Sequence, residues 1–175
     1  ECISEDGTFP QADRSGDKIV SICGTVNVYG SDAVTETYVV ALKNTKKIKD
    51  ANVQCFDEEK DLILAWRDII NKCDPDFIIG FNTFNFDNRY VDKRAEQPGI
   101  NCKKRLSKMS RLKKHSCEFK KLNISSAGLG DNEMWYHVIP GREQYDVMKL
   151  VQQDLKLAEY SLNKVAETLM KNKVT

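Results

Sequence analysis

No stretch of this sequence approaches the roughly 20 consecutive apolar residues of a membrane-spanning helix, and no membrane partner is expected. An excess of one charge is missing too: 27 Lys and Arg against 26 Asp and Glu leave a net charge of +1. Whole-chain charge therefore points to neither a nucleic acid nor a membrane surface, and any such signal must be local. The six cysteines, Cys2, Cys23, Cys55, Cys73, Cys102 and Cys117, form no C-x-x-C pair, which argues against a zinc ribbon. With no secretory signal to indicate an oxidising compartment, they are expected as free thiols in a reducing one. No internal repeat is found. What is present, 175 residues with 41% hydrophobic, 30% charged and 9% aromatic, is the composition of an ordinary globular domain and excludes collagenous or wholly disordered material. A chain of this length is about one domain and buries roughly two-thirds of its unfolded surface. Because it starts at Glu1 rather than Met, directly before Cys2-Ile3, it is read as a piece of a longer polypeptide.

Periodicity predicts the order of elements. Gly7 to Gly16 has loop composition. Lys18 to Tyr29, with Ile22, Val26 and Val28 at period two, predicts a strand, and Val34 to Leu42 its antiparallel partner across the Gly30-Ser31-Asp32 turn. A third short strand over Asn52 to Phe56 would complete a meander. Leu62, Ile63, Trp66, Ile69 and Ile70 then fall at three- and four-residue spacing behind Asp57-Glu58-Glu59, predicting a helix that ends at Cys73-Asp74-Pro75. The acids Glu58, Glu59 and Asp61 are explained by that first helical turn and need no metal. Phe77 to Phe81 reads as a strand buried on both faces, Asn82 to Asp87 as a turn, and Arg89 to Glu96 as a helix. Further on, Trp135 to Ile139 and Arg142 to Asp146 predict strands, Val147 to Asp154 a helix, and Ser161 caps another. The fold class is α/β, a mixed sheet flanked by helices.

Between these parts, residues 98–132 read as an insertion. Lys103 to Lys121 holds nine Lys and Arg against one acid, Glu118, a local charge of +8 while the remainder sums to −7. Lys113 and Lys114 are candidate phosphate contacts; a solvated loop explains them equally well. Ser125 to Asp131 has loop composition. Cys102, His115 and Cys117 lack a second close pair and are not expected to bind zinc, and His137 is expected to be structural.

Chemistry concentrates in Asp74 to Asp87. A strand that delivers Asn82 and then Asp87 sets an amide and a carboxylate at the carboxyl end of a sheet, where open α/β folds bind ligands. The same two residues also fit a turn and a favourable first helical turn, and spacing alone does not choose.

Four blocks carry a resemblance that does. Glu1-Cys2 with Gly7-Thr8-Phe9-Pro10, Asn82-Thr-Phe-Asn-Phe-Asp87, Pro140-Gly141-Arg142 with Asp146, and Asp154 to Val165 occur in order at family-like spacing. The chain resembles the 3′-5′ exonuclease domain of family B DNA polymerases, closest to delta-type enzymes and those of large DNA viruses. The resemblance implies a ribonuclease-H-like fold carrying the basic loop insertion. It also implies two Mg²⁺ or Mn²⁺ ions held by carboxylates for phosphodiester hydrolysis. Matched residue by residue, Glu1 and Asp87 are the implied catalytic metal ligands. Asn82 and Phe86 would place the substrate's 3′ end, and Asp146 would stand behind the ligands rather than among them. The Asp two positions before Glu1 and a Tyr-x-x-x-Asp after Tyr160 are not in this chain, nor is any polymerase-domain motif. The 175 residues are therefore expected to bind metal weakly and to be nearly inert alone.

The implied partners are primer-template DNA and a single-stranded 3′ end, with a sliding clamp or accessory subunit as a further one. The implied location is intracellular: the nucleus or, for a virus, the host nucleus or cytoplasm. The parent would be a DNA-directed DNA polymerase that proofreads during replication. Two alternatives stay open: a catalytically dead exonuclease-like scaffold that binds DNA or a subunit, and a free-standing 3′-5′ exonuclease.

Overall fold

The computed structural model describes residues 1–31, 33–126 and 130–170, so Asp32 of the first turn lies outside the described residues. β1 (Ser21–Asn27) pairs antiparallel with β2 (Val34–Leu42), as the short connection between them predicts. β3 (Asn52–Phe56) also forms, but it runs parallel to β2, with Tyr38 opposite Asn52 and Leu42 opposite Phe56. The expected meander is therefore incorrect. Side-chain alternation carries no direction, and the long connection 43–51 gives the chain room to return before pairing.

α1 (Glu59–Cys73) packs on one face of this sheet. Leu62, Ile63, Leu64, Ala65 and Ile70 are buried, and Val40 with Ile22, Leu42 and Phe56 meets them from the strands. Glu59 and Asp61 occupy the first turn and Lys72 the last, where the helix dipole favours each sign. Asp74 ends the helix in a left-handed conformation, φ 48°, with its N–H donating to the Ile70 carbonyl at 3.0 Å. Pro75 then keeps the chain extended.

β4 (Phe77–Gly80) pairs parallel with β7 (Glu143–Asp146). Ile78 faces the core, but Phe77 and Ile79 are 56% and 64% exposed, so the expectation of a strand buried on both faces is wrong. Among the described residues β4 has one partner strand and one covered face; on the open face Phe77 meets Tyr145, ring centroids 5.7 Å apart. α2 (Asp87–Glu96) follows and begins two residues before the predicted start, at Asp87 itself.

The greatest departure lies in residues 98–132. α3 (Lys103–Leu106) is one short turn, and β5 (Glu118–Ser126) forms an antiparallel hairpin with β6 (Gly130–Val138). The loop reading over Ser125 to Asp131 therefore fails at both flanks, while 127–129 lie outside the described residues. Cys102, Leu106 and Met109 are buried in the main core with Cys117. Their spacing of four and three is a helical stripe, masked in composition by the lysines around it. α4 (Val147–Asp154) and α5 (Leu162–Leu169) match the prediction, Ser161 Oγ accepting from the Lys164 N–H. No helix among the described residues is long and apolar enough to cross a membrane.

Candidate active site

The parallel pair β4 and β7 ends with Gly80 opposite Asp146, so both strands deliver their last residues to one edge. After Gly80 the chain folds back sharply. A Cβ on Gly80 would fall 2.3 Å from Thr83 Cγ2, so a larger residue there would force the Thr83 side chain to move. Asn82 adopts φ 60°, a left-handed value that asparagine tolerates, and its carbonyl accepts from the Asn85 and Phe86 N–H groups at 3.2 Å each. Its side-chain Oδ1 accepts from Asn85 Nδ2 at 2.7 Å.

Asp146 holds this turn from below. It is 2% exposed, and its Oδ1 accepts from the Asn82 N–H at 2.8 Å and the Met148 N–H at 3.0 Å, its Oδ2 from the Phe84 N–H at 2.9 Å. The same carboxylate thus caps α4 and fixes the turn that presents Asp87.

Asp87 opens α2, where the helix dipole favours a carboxylate. Desolvation outweighs that benefit and raises its pKa, and the Asp146 and Glu1 carboxylates push in the same direction. Glu1 reaches this neighbourhood because residues 1–3 run antiparallel beside 18–21. The Glu1 carbonyl accepts from the Val20 N–H at 2.9 Å, and the Ile3 N–H donates to Lys18 O at 3.0 Å. Cys2 lies beside Asp87 too, its thiol pushed up by burial and so neutral. All six cysteines are free.

Phe86 stands between two rings, Phe9 edge-on at 5.3 Å and Tyr90 at 5.2 Å. Phe9 is 72% exposed yet sits on a well-tethered loop. Buried Asp17 accepts from the Glu5 and Gln11 N–H groups, and Tyr90 Oη donates to Asp17 O at 2.9 Å. Arg94 donates to the carbonyls of Ala12 and Arg14 and forms a buried ion pair with Glu59. Sequence reasoning missed Phe9 as a site residue; the signal was an aromatic held by Pro10 within a polar loop.

Residues distant in sequence are therefore brought together: Asn82, Phe86 and Asp87 with Asp146 beneath their turn and Phe9 against Phe86. Lys113 and Lys114 are not among them. They are exposed beyond Arg111, whose guanidinium pairs with Asp74 and Asp76 at 2.8 Å each, before β4 begins. Residues 111–114 of the basic segment thus lie at the opposite end of β4 from Asp87. Several of its charges are engaged: Lys103 pairs with Asp92 and Glu96, and Lys121 with Glu133. Arg142 anchors this end, 2% exposed, donating to Met109 O, Asp74 Oδ1 and Pro75 O.

Residues 1–165 match the family described as DNA polymerase family B, exonuclease domain. The chain belongs to this family. It is similar to the DNA polymerase delta catalytic subunit of Arabidopsis thaliana, 34% identical over 166 residues, covering 95% of this chain and 15% of that protein. A DNA polymerase of Pyramimonas orientalis virus is 36% identical over 159 residues, covering 91% of this chain and 13% of the relative. That of Acanthamoeba polyphaga mimivirus is 29% identical over 240 residues, covering 99% and 14%. The chain thus spans about 15% of the length of such relatives. Within the exonuclease domain, the hairpin β5–β6 docks against the site turn, Trp135 N–H donating to Phe84 O at 2.7 Å and Asn88 Nδ2 to Trp135 O at 3.2 Å. A cleft of about 240 Å³ opens beside it, lined by Phe84, Met134, Tyr145, Asp146, Lys149 and Leu150.

The exonuclease domains of this family are metal-dependent nucleases, and the oxygen donors here suit a hard divalent cation. Both oxygens of Asp146 are committed to backbone donors. Among the described residues no group of three His, Cys, Asp or Glu is arranged to hold a metal.

Proposed function

We propose that this chain is the 3′-5′ proofreading domain of a replicative DNA polymerase, removing mispaired nucleotides from a single-stranded 3′ end. The observation that carries this reading is the placement of Asp87 directly after the turn at the carboxyl end of β4, a turn gripped by Asp146 at the end of β7. Glu1 and Asp87 would hold Mg²⁺ or Mn²⁺, within a two-ion site of ribonuclease-H-like type. When bound, such ions neutralise charge on the scissile phosphate and lower the pKa of the attacking water. The protein's own part is positional. Asn82 presents an amide to the terminal nucleotide, while Phe86 and the exposed ring of Phe9 offer aromatic faces to its base.

The printed names of the relatives, DNA polymerase delta catalytic subunit and DNA polymerase, support a parent that also adds deoxynucleotides during replication. A sliding clamp or accessory subunit would be a further partner, and the nucleus or an infected host cell the location. Lys113 and Lys114 would touch DNA away from the catalytic edge.

The test is degradation of a 3′-labelled single strand by the full-length protein that carries this chain. Release of nucleotides from the 3′ end that requires Mg²⁺ or Mn²⁺, and disappears in Asp87→Ala, is the expected result. Undiminished activity in that variant overturns the site. A second reading, a catalytically dead scaffold, would be selected by DNA binding without degradation.

A further inference from the structure

We infer that Asp146 is a positioning residue for the exonuclease reaction, setting the catalytic turn Asn82–Asp87 through that turn's backbone rather than through a metal. The inference rests on the proposed function and goes beyond it.

Four observations converge. First, the carboxylate is fully engaged: its oxygens accept from the N–H groups of Asn82, Phe84 and Met148, at 2.8, 2.9 and 3.0 Å. An ionised acceptor makes such bonds about twice as strong as neutral ones, and burial strengthens them further. Second, the groups it grips belong to the strained part of the turn. Asn82 sits at φ 60°, and the Phe84 carbonyl in turn receives the Trp135 N–H. One carboxylate thus connects the left-handed residue, the docking point of the hairpin and the first turn of α4.

Third, Asp146 is itself held in register. It faces Gly80 across the parallel pair, and four residues earlier Arg142 is locked by Met109 O, Asp74 Oδ1 and Pro75 O. The chain of contacts runs from a buried guanidinium, along β7, to the turn. Fourth, the turn leads without a break into Asp87: Phe86 N–H bonds back to Asn82 O, and Asp87 is the next residue. A shift of the Asn82–Phe84 backbone therefore displaces Asn82, Phe86 and Asp87 together. Misplacement of reacting groups by about 1 Å can cost on the order of 10²-fold in rate.

The test separates the turn from the helix cap, since Asp146 serves both. Asp146→Ser keeps a good N-cap for α4, but its short hydroxyl does not span to the two N–H groups of the turn. Asp146→Asn keeps one acceptor oxygen for Asn82 and Met148 and sets an NH₂ against the Phe84 N–H. In the full-length protein, kcat for a single-stranded 3′ end should fall about 10²-fold in the Ser variant and less in the Asn variant, with KM rising as Asn82 and Phe86 shift along with Asp87. Amide hydrogen exchange should quicken at Asn82 and Phe84 while the amides of α1 keep their protection.

A folded Ser variant with wild-type kcat overturns the inference. So does a loss of activity accompanied by equal loss of protection throughout α1, because that marks a merely structural role. Asp87→Ala measured alongside separates the two levels. If it retains activity, the proposed site falls and this inference with it; if it is inactive while the Ser variant is not, only the positioning role falls.

Discussion

Asp146 and Asn82 are 64 residues apart in sequence, yet the carboxylate of one accepts the backbone N–H of the other at 2.8 Å. Through this bond the end of β7 shapes the turn after β4. The candidate site is therefore a property of two parallel strands rather than of either motif alone.

Asp87 shows function opposing stability. Its folded pKa is raised, chiefly by desolvation, so the folded state binds a proton more tightly than the unfolded one. Stability is greatest below the unfolded pKa and declines as pH rises through the folded value, leaving a penalty at neutral pH. Asp87→Asn should raise the thermal midpoint at pH 7 relative to wild type, with the gain vanishing near pH 3. If Asp87 holds a metal as proposed, the same variant should lose exonuclease activity by at least about 10²-fold, because a metal ligand is worth several kcal/mol of transition-state stabilisation. Thermal melts at the two pH values and a 3′-end degradation assay check both halves.

His137 should report acid destabilisation. It is buried against Phe119, ring centroids 4.9 Å apart, and its Nε2 has no partner. Desolvation first, and then the charge of Lys103, lowers its pKa from 6.5 to about 4. The folded state binds this proton less readily, so its contribution is intact above the unfolded value and is lost as pH falls from 6.5 towards about 4. The whole shift corresponds to on the order of 3 kcal/mol. Chemical denaturation of wild type and His137→Phe across this window should show the pH-dependent component only in the former.

Glu59 and Arg94 form a buried pair joining α1, α2 and the loop that carries Phe9. Removing one partner of such a pair strands the other charge, which costs about 3–5 kcal/mol. Arg94→Ala should therefore lower unfolding free energy by about that amount, more than the exposed pair Lys43–Asp57, worth roughly 0–1 kcal/mol. Urea titrations of Arg94→Ala and Lys43→Ala give the comparison.

The proposed DNA contacts of Lys113 and Lys114 are open to a salt titration. Neutralising both should flatten the dependence of log K on log salt by about 2 if each touches a phosphate. An unchanged slope would assign them to solvent. Because they lie at the far end of β4, the exonuclease kcat on saturating substrate should be unaffected.

Local pattern made much of this fold legible. α1, α4 and the Ser161 cap of α5 follow from three- and four-residue spacing and capping chemistry, which act between near neighbours. The positions of β1 to β4 and β7 are readable for the same reason, but β5 and the start of β6, the parallel pairing of β3 and the open face of β4 are not, since alternation encodes neither direction nor neighbours. The stripe Cys102, Leu106, Met109 was present in the sequence and lost beneath nine positive charges.

For the site, the sequence alone determined which residue types arrive and in what order: Glu1, then Asn82, Phe86 and Asp87, then Asp146. Only the tertiary structure decided that Asp146 meets the turn leading to Asp87, that Phe9 joins Phe86, and that the lysines at 113 and 114 stand apart. It alone decided that Asp146 turns both oxygens to backbone donors. The physical reason is range. Helix spacing and caps are set by groups within about one turn of each other, whereas burial, charge repulsion and a carboxylate's choice of donors depend on the neighbours that packing supplies from elsewhere in the chain.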